Sequence, residues 1–350
     1  MQSFPSKETK INTILAQFVI EVLKRIKVFD AKGLLIMKIL FAARENAWGG
    51  FLQILKAKMP QHEFHASGYF GFKTLEGFDV LIPTMSVVDK NALSTGDRLK
   101  LIQQCGSGLE AVDIGAAHEM NIRVANVPTD ISGNAESVAE LGIFMMLGLS
   151  RHLNKMKVSF SNWQMGVPQG RALKGKTVGV IGLGGIGRAL IKRLKAFDVH
   201  ILGIRQNNPE ATVKELDIEW AGTQKDLGEL LKRSDYVVLC LPLTSDSKNI
   251  IDADAFNMMK PGSFIINLSR GGLIDHDALE QALKANKIDG AGLDVFWEEP
   301  PNPDDPIFQY NVLATPHIAG STDVSMQGIV SAVAENINRL EKGLEPLYLK

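Results

Sequence analysis

Three residues with complementary chemistry follow three successive apolar stretches towards the end of the chain. Arg270 comes after FIINLS, Glu299 after the stretch that ends at Val295, and His317 after LATP. A cation can stabilise negative charge that develops on a carbonyl oxygen, and a histidine held beside a carboxylate is suited to donating a proton. Each residue alone could equally be a surface cation, a solvated loop acid or a structural histidine. Together they predict a catalytic cleft, provided that the fold brings them to one place.

A glycine-rich loop earlier in the chain predicts a dinucleotide site. Residues 177–187 read TVGVIGLGGIG, in which an apolar run is followed by Gly182, Gly184 and Gly187 at the spacing G-x-G-x-x-G. In such a loop the first glycine permits a tight turn, the second lets the backbone approach a pyrophosphate, and the third lets the helix pack closely on the strand. The strand-like run before the loop and the helical periodicity after it favour this interpretation over a simple turn.

The end of the next predicted strand, residues 199–204, bears on the choice of dinucleotide. An NAD-selective site normally has an acidic residue about 20 positions beyond the glycines, where it binds the ribose 2′-hydroxyl. Here the strand is followed by Arg205, Gln206 and Asn207. A guanidinium can pair with a 2′-phosphate, so we expect NADP(H). The alternative is that Arg205 stacks on the adenine of NAD(H).

Parallel strands would position all of these residues, because ligands bind at the carboxyl ends of such strands. Apolar runs alternate with helical stretches in both halves of the chain, which predicts two α/β units. We expect strands at residues 34–42, 63–67, 79–85, 99–105, 122–127, 178–181, 199–204, 235–241, 264–268, 289–295 and 312–314, and helices at 48–58, 109–120 and 325–342. A further helix at residues 134–151 is apolar on nearly all sides, and we expect a symmetry mate to cover part of it in a C2 homodimer.

The composition excludes several classes of protein. A chain of 350 residues is long enough for two domains, and the net charge of -1 offers no basis for binding nucleic acid or an anionic membrane. We find no apolar stretch long enough to span a bilayer. Cys105 and Cys240 lie in apolar runs and are interpreted as reduced core thiols, so we expect a cytoplasmic protein, and we assign no metal ligands. Residues 1–36 are interpreted as an extension that packs on the body or is poorly ordered, rather than as a targeting helix.

From Met37 onward the chain resembles the D-isomer-specific 2-hydroxyacid dehydrogenase family. The matching motifs, in the family's order, are GSG at 106–108, VD at 112–113, ANVP at 125–128, SVAEL at 137–141, GLGGIGR at 182–188, LPLT at 241–244, NLSRGG at 267–272, GLDVF at 292–296, EP at 299–300 and TPHIAGST at 315–322. The resemblance implies a doubly wound Rossmann nucleotide domain at residues 135–317. It also implies a smaller flavodoxin-like α/β substrate domain at residues 37–134 and 318–350, hinged to the first.

The resemblance also implies an activity, which is hydride transfer between a nicotinamide cofactor and a small D-2-hydroxy acid or 2-oxo acid. Arg270 would bind the substrate carboxylate and polarise the 2-oxo group, His317 would donate the proton, and Glu299 would pair with His317. Backbone N–H groups at Ser107 and Gly108 would hold the carboxylate. The implied cofactor contacts are Gly182, Gly184, Gly185, Ile186, Gly187, Arg205, Pro242, Ser269, Asp294, His317 and Gly320. Of these, Asp294 would contact the nicotinamide amide.

Two departures from the family pattern keep the substrate open. The GSG motif replaces the commoner Gly-Val-Gly, and Leu109 stands where an aromatic residue is frequent. Reduction of glyoxylate or hydroxypyruvate, or a phosphoglycerate dehydrogenase type of reaction, would fit the resemblance. Two alternatives are a dehydrogenase of another small anion, such as phosphite or formate, and a dinucleotide-sensing interaction protein with little turnover.

Overall fold

The computed structural model describes residues 36–350, which form two compact units: residues 36–128 with 329–350, and residues 129–328. Nearly all of the predicted N-terminal extension lies outside the described residues. The expected divisions after residues 134 and 317 differ from those observed. Residues 129–133 pack against the beginning of the last helix, because a Cβ on Gly328 would overlap the backbone of Ser132, and one on Gly133 would lie 2.6 Å from the side chain of Val324.

The smaller unit is built on a five-stranded parallel sheet in the order β2-β1-β3-β4-β5. Its elements are β1 (Lys38–Phe41), α1 (Ala47–Lys58), β2 (Glu63–Ala66), β3 (Val80–Ile82), α2 (Lys90–Ser94), β4 (Leu101–Gln103), α3 (Ile114–Glu119) and β5 (Arg123–Ala125). This strand order is that of flavodoxin-like folds, as predicted. The helix expected from residue 109 begins only at Ile114, because the Asp113 carboxylate caps it by accepting the Ala116 N–H at 2.9 Å.

The larger unit contains a seven-stranded parallel sheet in the order β12-β11-β10-β9-β6-β7-β8. Its strands are β6 (Thr177–Ile181), β7 (His200–Ile204), β8 (Trp220–Gly222), β9 (Tyr236–Leu239), β10 (Ser263–Asn267), β11 (Ile288–Leu293) and β12 (Val312–Ala314). The strand order reverses between β6 and β9, and in doubly wound sheets this switch point marks the ligand crevice. The predicted doubly wound Rossmann unit is therefore confirmed.

The helices of the remaining chain connect these strands. They are α4 (Asn134–Ser150), α5 (Leu153–Ser161), α6 (Gly185–Leu194), α7 (Pro209–Leu216), α8 (Leu227–Arg233), α9 (Ala253–Met258), α10 (His276–Lys284) and α11 (Asp323–Glu341), within which the second division between the units falls. The sequence analysis did not predict α2, α5, α7, α8, α9, α10 or β8. Strand β8 has only three residues, too few to show a period, and it forms by pairing with β7.

Apolar packing covers both faces of the larger sheet. Every residue of β9 and β10 is buried, as expected for central parallel strands. Along β10 the side chains alternate, so that Ile266 belongs to the cluster formed with α4 and α6, and Ile265 to the cluster formed with α9 and α10. The loops that follow the strands are thus held by a rigid sheet.

Candidate active site

The glycine-rich loop joins β6 to α6. Gly182 has φ +99°, and a Cβ there would lie 2.6 Å from the Cys240 carbonyl oxygen, so only glycine fits this turn. A Cβ on Gly187 would overlap the Gly182 carbonyl oxygen, which brings α6 close to the strand. A Cβ on Gly184 would meet nothing within 4 Å among the described residues. The loop therefore offers open space at the N-terminus of a helix, and this geometry fits the phosphates of a dinucleotide.

The end of β7 carries Arg205, which is half-buried. Its Nη1 donates to the hydroxyl of Thr212 in α7 at 2.6 Å, and this hydrogen bond fixes the orientation of the guanidinium. Arg188, which follows the glycines, pairs with Glu215 of α7 at 2.5 Å. This hydrogen bond is the main reason that the pKa of Glu215 lies below its usual value, and the charge of Arg205 adds to the effect. The sequence analysis missed Thr212 and Glu215, although Pro209 at the start of α7 is a signal for a helix.

Arg270 follows β10, and the last residue of that strand organises the turn. Asn267 is buried, its Nδ2 donates to the Arg270 carbonyl at 2.8 Å, and its Oδ1 accepts the Ser269 N–H at 3.1 Å. The Arg270 side chain donates from Nη1 to the Ser269 carbonyl at 2.7 Å. The guanidinium is therefore held close to the carboxyl end of the strand.

Glu299 and His317 form a pair from the loops after β11 and β12. The imidazole Nδ1 lies 2.7 Å from Glu299 Oε2, and Oε1 of the same carboxylate accepts the Phe296 N–H at 3.1 Å. Burial by itself would raise the pKa of Glu299. The hydrogen bond and charge of His317, together with the Phe296 N–H and the charge of Arg270, outweigh burial and hold that pKa below its usual value. The carboxylate is therefore charged at neutral pH and lies in hydrogen-bond contact with the imidazole.

The segments that carry Arg270 and Glu299 touch each other directly. A Cβ on Gly271 would overlap the carbonyl group of Phe296 and lie 2.5 Å from the Trp297 nitrogen. The structure therefore brings Arg270, Glu299 and His317 to one place at the carboxyl edge of the larger sheet. Glu298 is exposed, unlike its neighbour Glu299.

Asp294 holds the loop on which His317 lies. Its carboxylate is buried and accepts the Thr315 hydroxyl at 2.6 Å, the Ile318 N–H at 2.8 Å and the Ala319 N–H at 2.9 Å. Burial raises the pKa of Asp294, and these hydrogen bonds partly offset the increase. Its expected contact with a nicotinamide amide stays a prediction, as do the cofactor roles of Gly185, Ile186, Pro242, Ser269 and Gly320.

Ser107 and Gly108 belong to the smaller unit. The Ser107 carbonyl accepts the Asn126 side-chain amide at 2.8 Å, which fixes the turn after β4. Their expected role in holding a substrate carboxylate stays a prediction. Within residues 36–350 there is no cluster of three or more side chains that could ligate a metal ion, and no helix long and apolar enough to cross a membrane.

Part of the chain matches a model of a known protein family. Residues 143–319 match the model described as "D-isomer specific 2-hydroxyacid dehydrogenase, NAD binding domain". These residues include the glycine-rich loop, Arg270, Glu299 and His317, so the matched region contains every catalytic residue expected from the sequence.

Individual proteins are similar over most of the chain. The D-3-phosphoglycerate dehydrogenase of Methanocaldococcus jannaschii is 38% identical over 76% of this chain and 50% of its own length. The hydroxypyruvate reductase of Thermotoga maritima is 36% identical over 76% of this chain and 85% of its own length. The chain thus spans about half of the phosphoglycerate dehydrogenase and most of the reductase. Among solved structures, apo D-lactate dehydrogenase from Escherichia coli is 29% identical over 89% of this chain and 99% of its own, with a TM-score of 0.74.

Proposed function

The chain belongs to the D-isomer-specific 2-hydroxyacid dehydrogenase family, and from that premise we propose that it reduces a small 2-oxo acid to the D-2-hydroxy acid with a nicotinamide cofactor. The observation that carries the proposal is the 2.7 Å pair of His317 and Glu299 beside Arg270. A proton donor hydrogen-bonded to a carboxylate, next to a cation, suits a carbonyl group that gains negative charge during the reaction.

In the proposed reaction each residue has one task. When bound, the reduced cofactor supplies a hydride to C2 of the substrate. Arg270 binds the substrate carboxylate and stabilises the negative charge on the 2-oxo oxygen, and His317 donates a proton from Nε2 to that oxygen. Glu299 accepts a hydrogen bond from Nδ1, so it fixes the tautomer and stabilises the charge that the imidazole carries before the transfer.

We propose that the cofactor is NADP(H). Gly182 and Gly184–Gly187 would hold the pyrophosphate, and Arg205 would pair with the 2′-phosphate. The orientation of Arg205 by Thr212 supports this assignment, since a guanidinium in a fixed direction loses less entropy on binding a phosphate. Glu215 is engaged by Arg188, which leaves less negative charge to repel a phosphate near Arg205.

We also propose that the protein is a homodimer, and we retain a cytoplasmic location as a prediction. Helix α4 buries most of its residues within its own unit and leaves Phe144 as its one large exposed apolar side chain. The more extensive apolar surface comes after it: Phe160, Trp163 and Met165 are 86%, 95% and 93% exposed. Neighbouring apolar groups this exposed are typical of a surface that a second subunit covers.

The test of the proposed function is an assay panel. Glyoxylate, hydroxypyruvate, phosphohydroxypyruvate and pyruvate would each be offered with NADPH and with NADH, and phosphite and formate with the oxidised cofactors. We expect at least one 2-oxo acid to be reduced to the D-hydroxy acid, with loss of turnover in His317→Ala. Turnover of phosphite or formate alone, or cofactor binding without any turnover, would contradict the proposal.

A further inference from the structure

Two segments carry the arginine and the glutamate of the site, and side chains outside the site tie them together. The first runs from Arg270 to the start of α10, and the second is the loop of residues 296–305. The Trp297 indole N–H donates to the Ile274 carbonyl at 2.6 Å, which links the two segments beside the backbone contact at Gly271.

His276, at the start of α10, contacts this loop at both of its ends. Its ring meets the Trp297 ring edge-on, with a centroid distance of 4.6 Å and an interplanar angle of 84°. Its Nε2 lies 2.9 Å from Asp305 Oδ2 at the far end of the loop. The other oxygen of Asp305 accepts the Ile307 N–H at 3.0 Å, so this end of the loop is joined to the helical turn that follows.

The charges around His276 favour this arrangement. Nδ1 of the ring lies 3.2 Å from Asp277 Oδ1, so the ring has a carboxylate beside each nitrogen. Burial opposes a charge on the ring, but the hydrogen bonds to Asp305 and Asp277 outweigh it and raise the pKa of His276. Only Asp305 belongs to the loop. Asp277 lies on the helix of His276 itself and is 88% exposed.

From these contacts we propose that His276 is a positioning residue that, with Trp297 and Asp305, holds the Glu299 loop at the distance from Arg270 and His317 that the chemistry needs. Glu299 lies between Trp297 and Asp305, the two loop residues that His276 contacts. Arg270 is fixed independently by Asn267. Loss of the His276 contacts should therefore let Glu299 move while Arg270 stays in place.

The proposal rests on the proposed function, and it predicts a change in the catalytic rate and in its pH dependence. His276→Leu weakens the contacts of residue 276 with Trp297 and Asp305. The Glu299 carboxylate is then held less firmly beside His317 and stabilises the charged imidazole of that residue less well. A displacement of about 1 Å in a positioning element can cost on the order of 100-fold in rate. We expect kcat/KM to fall by about 10- to 100-fold, the alkaline limb of the pH–rate profile to move to lower pH, and cofactor affinity to stay unchanged.

The experiment compares His276→Leu and three further variants with the wild type. His276→Gln keeps a donor for Asp305 and should recover part of the loss, and Asp277→Asn should behave as the wild type because Asp277 does not touch the loop. Asp305→Asn replaces one carboxylate oxygen of the residue that holds the far end of the loop, and it should move the alkaline limb as His276→Leu does. This variant tests the proposal even if His276→Leu fails to fold. Thermal unfolding of each variant reports the structural cost separately.

A second readout separates this proposal from the proposed function. The titration curve of His317 can be followed by NMR in the cofactor-free protein, and it should move to lower pH in Asp305→Asn but not in Asp277→Asn. A moved curve in a protein that reduces no 2-oxo acid would contradict the function and support the positioning role. The positioning role would be overturned if a variant lost activity or stability while its His317 titration curve and alkaline limb stayed as in the wild type.

Discussion

Gly271 and Phe296 are in contact backbone to backbone, and no Cβ could be placed between them. This contact joins the segment that begins with Arg270 to the loop that carries Glu299. Gly271 is buried, and the atoms that face it belong to a peptide group rather than to a flexible side chain. The approach of the cation to the carboxylate therefore depends on the absence of one carbon atom.

Gly271→Ala should separate the two segments. Overpacking against a backbone typically costs on the order of 1–3 kcal/mol in the free energy of unfolding, and kcat/KM should fall in addition. Gly272→Ala is the control, because a Cβ there would lie 3.2 Å from the Leu243 side chain, which can move. Denaturant unfolding and steady-state kinetics measure both effects. Equal stability and activity in the two variants would contradict the role of the contact.

The glycines of the cofactor loop should respond differently to the same substitution. Gly187→Ala would overlap the Gly182 carbonyl, and the resulting strain should exceed the gain in helix propensity of about 1 kcal/mol. Gly184→Ala meets no described protein atom, so its thermal unfolding should stay that of the wild type while its Kd for NADPH rises by about tenfold or more. Unchanged NADPH binding in Gly184→Ala would show that the cofactor does not approach there.

Much of this architecture could be predicted because each element carries a local signal. The strands β6, β9 and β10 contain uninterrupted apolar runs, and the three glycines have fixed spacing. The turn residue Asp113 was visible in the sequence, yet the helix was predicted to begin before it, since an apolar residue at 109 extends the helical period. Strand β8 has no period of its own and depends on its neighbour for pairing.

The site could be predicted in part for the same reason. Arg270, Glu299 and His317 follow strands whose carboxyl ends share an edge, so position alone made them candidates. The contacts of His276 with Trp297 and Asp305 could not be predicted, because they join residues 21 and 29 positions apart through a loop of irregular backbone. Glu215 was missed together with the helix that carries it.

Cofactor preference should depend on Arg205. Arg205→Asp removes a cation and adds a repulsive charge, so the preference should shift from NADPH towards NADH by on the order of 1–3 kcal/mol. Thr212→Val should shift it less, because the guanidinium keeps its charge and loses only its 2.6 Å partner. The ratio of kcat/KM for the two cofactors measures the effect. A wild-type enzyme that uses NADH better than NADPH would contradict the assignment.

Association should depend on the apolar surface formed by Phe160, Trp163 and Met165. Trp163→Asp places a charge on a position that is 95% exposed in the single chain, so it should not disturb the fold but should weaken a dimer. Leu344→Asp, at a position that is 50% exposed elsewhere, controls for the added charge. Light scattering at micromolar concentration should give a dimer for the wild type and the control, and a monomer for Trp163→Asp. A monomeric wild type would refute the proposal.

The pairing of Glu299 with His317 is the central claim, and the pH dependence of kcat/KM for 2-oxo acid reduction tests it most directly. The pKa of Glu299 lies below its usual value, so the carboxylate is charged at neutral pH and above. Activity should fall with rising pH as the proton donor is lost. Glu299→Gln keeps the shape but removes the charge, so this limb should move to lower pH.

Glu298→Gln is the matched control for that measurement, because Glu298 is the exposed neighbour of Glu299. We expect its alkaline limb to coincide with that of the wild type, while the limb of Glu299→Gln moves to lower pH. A limb that moves in Glu298→Gln and stays in place in Glu299→Gln would contradict this pairing. Glu298, and not Glu299, would then be the carboxylate that acts on the proton donor.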